Sequence, residues 1–282
     1  MKKALTLVML LICSAQMWSN NIRYTQGDSI KICEKLAQLH KSRSKEKATL
    51  LVEAAMLFIG TPYVGGTLDK EREERLTVNA SELDCTTLVE TSLAMTMTVS
   101  NGRRDFATFC ENLQKIRYRG GECKGYDSRL HYFTWWTADG EKKGIVHEIN
   151  GKAFSGRQML NLCFMSNNPD KYMQLDSDSA LTASIARYEA PFRQKEIPFL
   201  QKAQLKGSKK NLPVRDGDII ALVTNIKGLD VTHMGIAVWV KGRLHMLHAS
   251  SKEKRVILDP TPLHDYLAPR KSCPGVRVVR VK

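Results

Sequence analysis

The stretch from Val231 to Ser250 reads VTHMGIAVWVKGRLHMLHAS, and its period decides the fold. Apolar and β-branched residues recur on either side of Lys241-Gly242, the pattern of two strands joined by a two-residue turn. With Val240 facing Arg243, the positions of every cross-strand pair add to the same total. Gly235 then lies opposite His248, His233 opposite Ser250, and Val238 opposite His245. Side chains alternate faces along a strand, so His233 and His248 share one face as diagonal neighbours, roughly 7–8 Å apart at Cα. His245 turns to the other face, and a one-residue slip would exchange the two.

Working outward, residues 219–223, 255–258 and 276–281 are further short β-rich runs, with a turn segment at 225–230. Upstream the period changes. From Asp28, Ile30, Ile32, Leu36 and Leu39 recur at helical spacing. After Ser44, Leu50, Leu51, Ala54, Ala55, Leu57 and Phe58 form a second apolar side, which ends at the breaker Gly60-Thr61-Pro62. DCTTLVETSLAMTM, from Asp84, is a third helix with Leu88, Leu93 and Met97 on its buried side. Helices first and an antiparallel sheet last predict an α+β fold. Residues of about 125–200, which hold Trp135 and Trp136, read as an elaboration, because no Pro/Ser/Gly linker bounds them. The expectation is a single catalytic domain over 16–282, with its core motifs in 60–282.

The 282 residues are 43% hydrophobic and 26% charged, which excludes a disordered chain, a collagen-like fibre and a multi-span membrane protein. With 43 Lys and Arg against 29 Asp and Glu, the formal charge of +14 favours anionic partners. Nucleic acid has little support, since no binding motif is present. Lys2 and Lys3 precede the apolar run ALTLVMLLIC at 4–13, followed by Ser14 and Ala15. That is a secretory signal peptide over 1–15, too short to span a bilayer. It predicts a periplasmic or secreted protein without stable membrane insertion. Lipid anchoring through Cys13 is disfavoured by Ile12, where a small residue is needed. The other six cysteines contain no CxxC pair, so no structural metal site is expected. Disulfides are permitted in that compartment, but no pairing can be assigned.

Cys85 falls at the predicted start of the third helix. Free N–H groups and the positive end of the helix dipole there stabilise a thiolate and can hold an oxyanion. Asp84 is suited to cap that helix. A buried structural thiol is the bland alternative. The shared face of the hairpin adds a base and an orienter: His233 to deprotonate Cys85, and His248 to hold the His233 ring. The same three residues as a zinc site would lack an obvious fourth ligand.

Five motifs then carry a resemblance. GTPYVGG (60–66), LDCTTLVE (83–90), DGDIIAL (216–222), HMGIAV (233–238) and LHAS (247–250) follow the order seen in the NlpC/P60 papain-like cell-wall hydrolases. PYVGGTL, DCTT, the HAS motif and the aromatic segment RLHYFTWW (129–136) are similar to its DUF1460 branch, the N-acetylmuramoyl-L-alanine amidase-like proteins. The resemblance implies a papain-like fold with helices packed on a C-terminal sheet. It implies a cofactor-free cysteine amidase that cuts between the muramic lactyl group and L-Ala of soluble muropeptides, 1,6-anhydro forms included. Cys85, His233 and His248 would be catalytic. The Cys85 N–H and the Tyr63 hydroxyl would hold the oxyanion. Asp84, Arg129, Tyr132, Trp135 and Ser250 are the remaining candidate contacts, in a protein expected to be monomeric. The alternatives are the γ-D-glutamyl endopeptidase activity found elsewhere in NlpC/P60, and a non-catalytic peptidoglycan-binding protein, which has no need of that trio.

Overall fold

The computed structural model describes residues 22–282. The signal peptide assigned to 1–15, with Cys13, lies outside the described residues. The helical half comprises α1 (Gln26–Leu39), α2 (Lys47–Met56), α3 (Cys85–Ser100) and α4 (Phe106–Arg117). No described helix is long and apolar enough to cross a membrane.

The first two helices form where the apolar period placed them. Thr25 and Asp28 close a reciprocal cap at the start of α1, whose Ile32, Leu36 and Leu39 are buried while Ile30 is exposed. Leu50, Leu51, Ala54 and Ala55 are the buried side of α2, which ends earlier than Gly60, at Met56. α3 differs from expectation. It is buried on every side from Thr87 to Thr96, not along one stripe. Two of its buried hydroxyls are satisfied within the helix: Thr96 donates to the Ser92 carbonyl at 2.8 Å and Thr98 to that of Ala94 at 2.7 Å. This central helix packs on α2 and α4 and on the sheet.

The strands are β1 (Ile22–Arg23), β2 (Leu76–Thr77), β3 (Val146–Glu148), β4 (Gly156–Asn161), β5 (Arg193–Gln201), β6 (Ile219–Val223), β7 (Val231–Val240), β8 (Arg243–Ser250), β9 (Arg255–Leu258) and β10 (Gly275–Val281). β1 and β2 form a small parallel pair. The other eight make one antiparallel sheet in the order β4-β5-β10-β6-β7-β8-β9, with β3 also on β10. The bounds of β6 to β9 match those read from the sequence. The β7–β8 register does too, with Val240 on Arg243, Val238 on His245 and Ile236 on Leu247. Lys241 and Gly242 both have positive φ, +47° and +78°, the backbone that a two-residue hairpin turn with the twist of the strands requires.

The middle segment contributes more to the sheet than its sequence showed. Helices α5 (Phe133–Lys142) and α6 (Ser179–Glu189) lie within it, and α7 (Leu263–Leu267) follows β9. Its strands β4 and β5 extend the sheet beyond β10. The first is polar even at a buried position: the Gln158 amide donates to the carbonyls of Thr224 and Asp230. The second, RQKEIPFLQ, is mostly exposed and contains Pro198. Neither has the apolar alternation that marks a strand. All six described cysteines are free thiols.

One buried ion pair ties α3 to α4 and β2. Arg117 Nε lies 2.7 Å from Glu90 Oε2, and the same guanidinium donates to the Thr77 carbonyl at 2.6 Å. Burial pushes the Glu90 carboxyl up, and the Arg117 charge opposes that push. Removing one partner strands the other charge in the core, which costs about 3–5 kcal/mol. Arg117→Met should therefore lower the free energy of unfolding by about that amount in a urea titration; a change below about 1 kcal/mol would mean that water solvates Glu90 in the variant.

Candidate active site

Asp84 is the N-cap of α3, as the sequence indicates. Its carboxylate accepts the Thr87 N–H at 2.8 Å, and its own N–H donates to the Thr87 hydroxyl at 2.9 Å. The carboxylate is thus committed to the helix end and sets the angle at which Cys85 leaves it. Cys85 lines a cleft of about 130 Å³ with Phe133, Trp136, Asp230 and His233. The Met234 N–H reaches its sulfur.

The dipole argument from sequence predicts a stabilised thiolate. Burial opposes it. Burial, reinforced by the Asp84 charge, pushes the Cys85 thiol up to about 11, and the Met234 N–H offsets only part of this. His233 moves the other way. Burial, with His248 and the Arg270 charge, brings it down to about 3. Both shifts favour a thiol and a neutral imidazole over an ion pair at neutral pH. No hydrogen bond joins them among the described residues, an arrangement that catalytic pairs commonly tighten only around substrate.

The His233–His248 contact is as the hairpin register requires. His233 Nε2 lies 2.6 Å from His248 Nδ1, with the rings edge to face at 84°. The close approach depends on Gly235. A Cβ there would stand 2.9 Å from His248 Cβ and 2.7 Å from Met246 Cγ, closer than carbon atoms pack. His245 lies on the opposite face, with Nδ1 at 2.8 Å from the Asp259 carbonyl.

Sequence reasoning missed Asp259, just after β9. Its Oδ2 lies 3.3 Å from His248 Nε2, and its Oδ1 accepts the Thr261 N–H at 2.8 Å. This acceptor fixes the proton inventory of both rings. An ionised carboxylate only accepts, so His248 Nε2 donates to it. The neutral His248 ring then accepts at Nδ1, so His233 donates from Nε2. His233 Nδ1 is left unprotonated, the state a general base needs. The only sequence signal for Asp259 is its place two residues beyond Ile257, the β9 partner of His248, and that pairing emerges only from the sheet.

Tyr63 sits in a loop stitched to both halves, its N–H donating to the Lys254 carbonyl and its backbone bridged to Leu83. Its half-buried phenol is raised by burial, and the Cys85 and Asp84 charges raise it further, which makes it an electrostatic neighbour of the thiol. The other expected contacts are corrected. Tyr132 and Trp135 are buried; the Tyr132 hydroxyl donates to Glu189 at 2.6 Å and accepts the Met165 N–H. Arg129 is buried against Asp69 and Glu74. Ser250 is buried and its hydroxyl accepts the Glu253 N–H across a turn. Helical spacing explains the shift in the aromatic segment. Phe133 and Trp136, one turn apart on α5 with rings stacked 6.0 Å apart, line the cleft, together with His131 just before the helix. The Trp136 indole N–H has no partner among the described residues.

Comparison with known proteins places the chain among amidase-like relatives. Residues 53–276 match the model of the N-acetylmuramoyl-L-alanine amidase-like (AmiA-like) family. A crystal structure of an N-acetylmuramoyl-L-alanine amidase from Bacteroides uniformis is 38% identical, with a TM-score of 0.78 over 84% of this chain and 99% of that one. A Bacteroides fragilis protein provisionally described as a xylanase is 42% identical, with a TM-score of 0.75 over 80% and 98%. A Legionella pneumophila protein of the DUF1460 family shares the fold at 20% identity, with a TM-score of 0.65 over 90% and 94%. No curated protein matches the chain.

Two measurements test the site. Alkylation needs the thiolate, so iodoacetamide labelling of Cys85, followed on its own peptide by mass spectrometry, should still be rising at pH 9–10. A plateau below pH 7 would mean that the helix end outweighs burial. Asp259→Asn removes the obligate acceptor and frees the His248 tautomer. It should lower kcat by about tenfold or more with little change in KM; an unaltered kcat would remove Asp259 from the relay.

Proposed function

From the premise that the chain belongs to the N-acetylmuramoyl-L-alanine amidase-like family, we propose that it is a cysteine amidase that hydrolyses the bond between the muramic lactyl carbonyl and L-Ala in peptidoglycan fragments. One observation carries this reading: Cys85, at a capped helix start, shares its cleft with a His233 whose free nitrogen is specified by His248 and Asp259. Such a hydrolase is of the papain-like NlpC/P60 kind, and the five ordered motifs support that assignment.

The chemistry follows from the resting protonation states. Cys85 Sγ attacks the lactyl carbonyl as its proton passes to His233 Nδ1, which avoids a free thiolate in a buried site. The oxyanion forms against the Cys85 N–H and the Tyr63 hydroxyl, a phenol that stays protonated. His233, now positive, is stabilised through His248 by the Asp259 carboxylate. It gives its proton to the L-Ala nitrogen as the C–N bond breaks, leaving a thioester on Cys85. Water attacks the thioester, its proton goes to His233 and then to sulfur, and the muramic acid departs.

The xylanase description of the B. fragilis relative points to a different reaction. Glycosidases of the common type set two carboxyl groups across the scissile bond. The single carboxylate lining this cleft among the described residues is Asp230, whose oxygens accept the N–H groups of Thr134 and Val231. The thiol and the histidine relay suit acyl transfer.

The small cleft, walled by α5, suits a single sugar terminus, and the signal-peptide pattern at 1–15 suits a protein acting outside the cytoplasm. Digestion of defined muropeptides, read by mass spectrometry, should release free stem peptide beginning with L-Ala. Purified sacculi should be cut much more slowly at matched stem concentration. Cys85→Ala should fold and cleave neither. Cleavage after D-Glu would replace the amidase with a γ-D-glutamyl endopeptidase, and equal rates on sacculi would defeat the walled cleft.

A further inference from the structure

His233 and Thr232 line two openings. On one side lies the cleft with Cys85, Phe133 and Trp136. On the other lies a wider depression of about 660 Å³, lined by Thr232, His233, Ser251, Tyr266, Arg270 and Lys271. The first is walled mainly by apolar side chains. The second holds two exposed cations and no carboxylate. The Arg270 guanidinium rests over the Tyr266 ring, 4.2 Å from its centroid, and Tyr266 in turn meets His248 edge to face at 5.6 Å.

The cations sit on a held loop. The Arg270 N–H donates to the Leu267 carbonyl at 2.9 Å. The Arg270 carbonyl accepts the Cys273 N–H at 3.1 Å and the Lys202 ammonium at 3.0 Å. Lys202 also reaches the Leu267 carbonyl. Beyond the effect of burial, the Arg270 charge adds to the depression of both His233 and His248. Its electrostatic cost is offset if an anion binds there.

The direction of the reaction says which anion. An amide is cleaved with its acyl carbon on the nucleophile and its nitrogen beside the base that protonates it. The acyl part therefore lies on the Cys85 side, and the departing amine leaves past His233. In a muropeptide the departing part is the stem, whose second residue carries the first free carboxylate. An extended chain advances ~3.3–3.6 Å per residue, so that carboxylate stands two residues, ~7 Å, beyond the scissile nitrogen.

We propose that Arg270 and Lys271 form the subsite for the carboxylates of the departing stem peptide, so that the enzyme selects acidic over amidated stems. The inference rests on the amidase reading above. It also supplies the basic contact that the sequence suggested at Arg129, which the fold buries.

The test compares MurNAc-L-Ala-D-Glu having both carboxyls free with the same compound having both as primary amides. The wild-type full chain should prefer the acid by about tenfold or more in kcat/KM, mostly through KM, and the preference should shrink as salt is raised. Arg270→Met with Lys271→Met should erase the preference, and Arg270→Glu should invert it, with melting temperatures reporting that each variant is folded. Cleavage of both compounds by the wild type without preference, or an unaltered preference in folded variants, would overturn the subsite while leaving the amidase reading intact. Failure of the wild type to cut either compound at the lactyl–alanine bond would overturn the amidase reading and the subsite with it.

Discussion

The site depends on how closely β7 and β8 approach at Gly235. Without a Cβ at that position, His248 can move in until its Nδ1 is 2.6 Å from His233 Nε2. That single contact links strand geometry to acid–base chemistry. The hairpin turn sets the register, the register places both rings on one face, and the missing side chain lets them touch. The glycine of the HMGIAV motif is therefore a packing requirement of the base, not of the turn.

Burial then decides the electrostatics. α3 is enclosed by the sheet and by its neighbouring helices, and its first residue is half-buried at the wall of the cleft. A helix end favours a thiolate, but it acts over the first turn and is modest in size. The loss of solvation around Cys85, with the Asp84 cap beside it, is larger and of opposite sign. The resting site is neutral in both partners. In the proposed reaction proton transfer accompanies attack, and the Asp259 carboxylate at the far end of the relay compensates the charge that appears on His233. The order of groups, thiol, imidazole, imidazole, carboxylate, gives each ring a single donor role.

The middle segment shapes what reaches that relay. Its helix α5 supplies Phe133 and Trp136 to the cleft, while its strands β4 and β5 extend the sheet on the far side of β10. Cys85 and His233 come from opposite halves of the chain. The apolar cleft on the thiol side and the cationic depression beyond His233 come from different segments again, one before the hairpin and one after it. In the proposed reaction the two sides of the scissile bond meet surfaces of different chemistry.

Several of these features were legible in the residues alone. Period-two alternation and Lys241-Gly242 determined β7, β8 and their register, and with it the pairing of His233 and His248, because a hairpin is a local structure with one free parameter. The Asp84-Cys85 helix start is equally local, a cap and a first turn. Tertiary structure decided the rest. Which aromatics face the cleft depends on how α5 is rotated against the sheet, so Tyr132 and Trp135 went to the core and Phe133 and Trp136 to the site. Asp259 and Arg270 lie on segments after β8 that carry no periodic signal of their own and reach the histidines only when β9 pairs and the loop after α7 folds back. The sign of the Cys85 shift was beyond the sequence for the same reason. A helix start is written in a few adjacent residues, but desolvation is the sum of everything the finished fold packs around the sulfur.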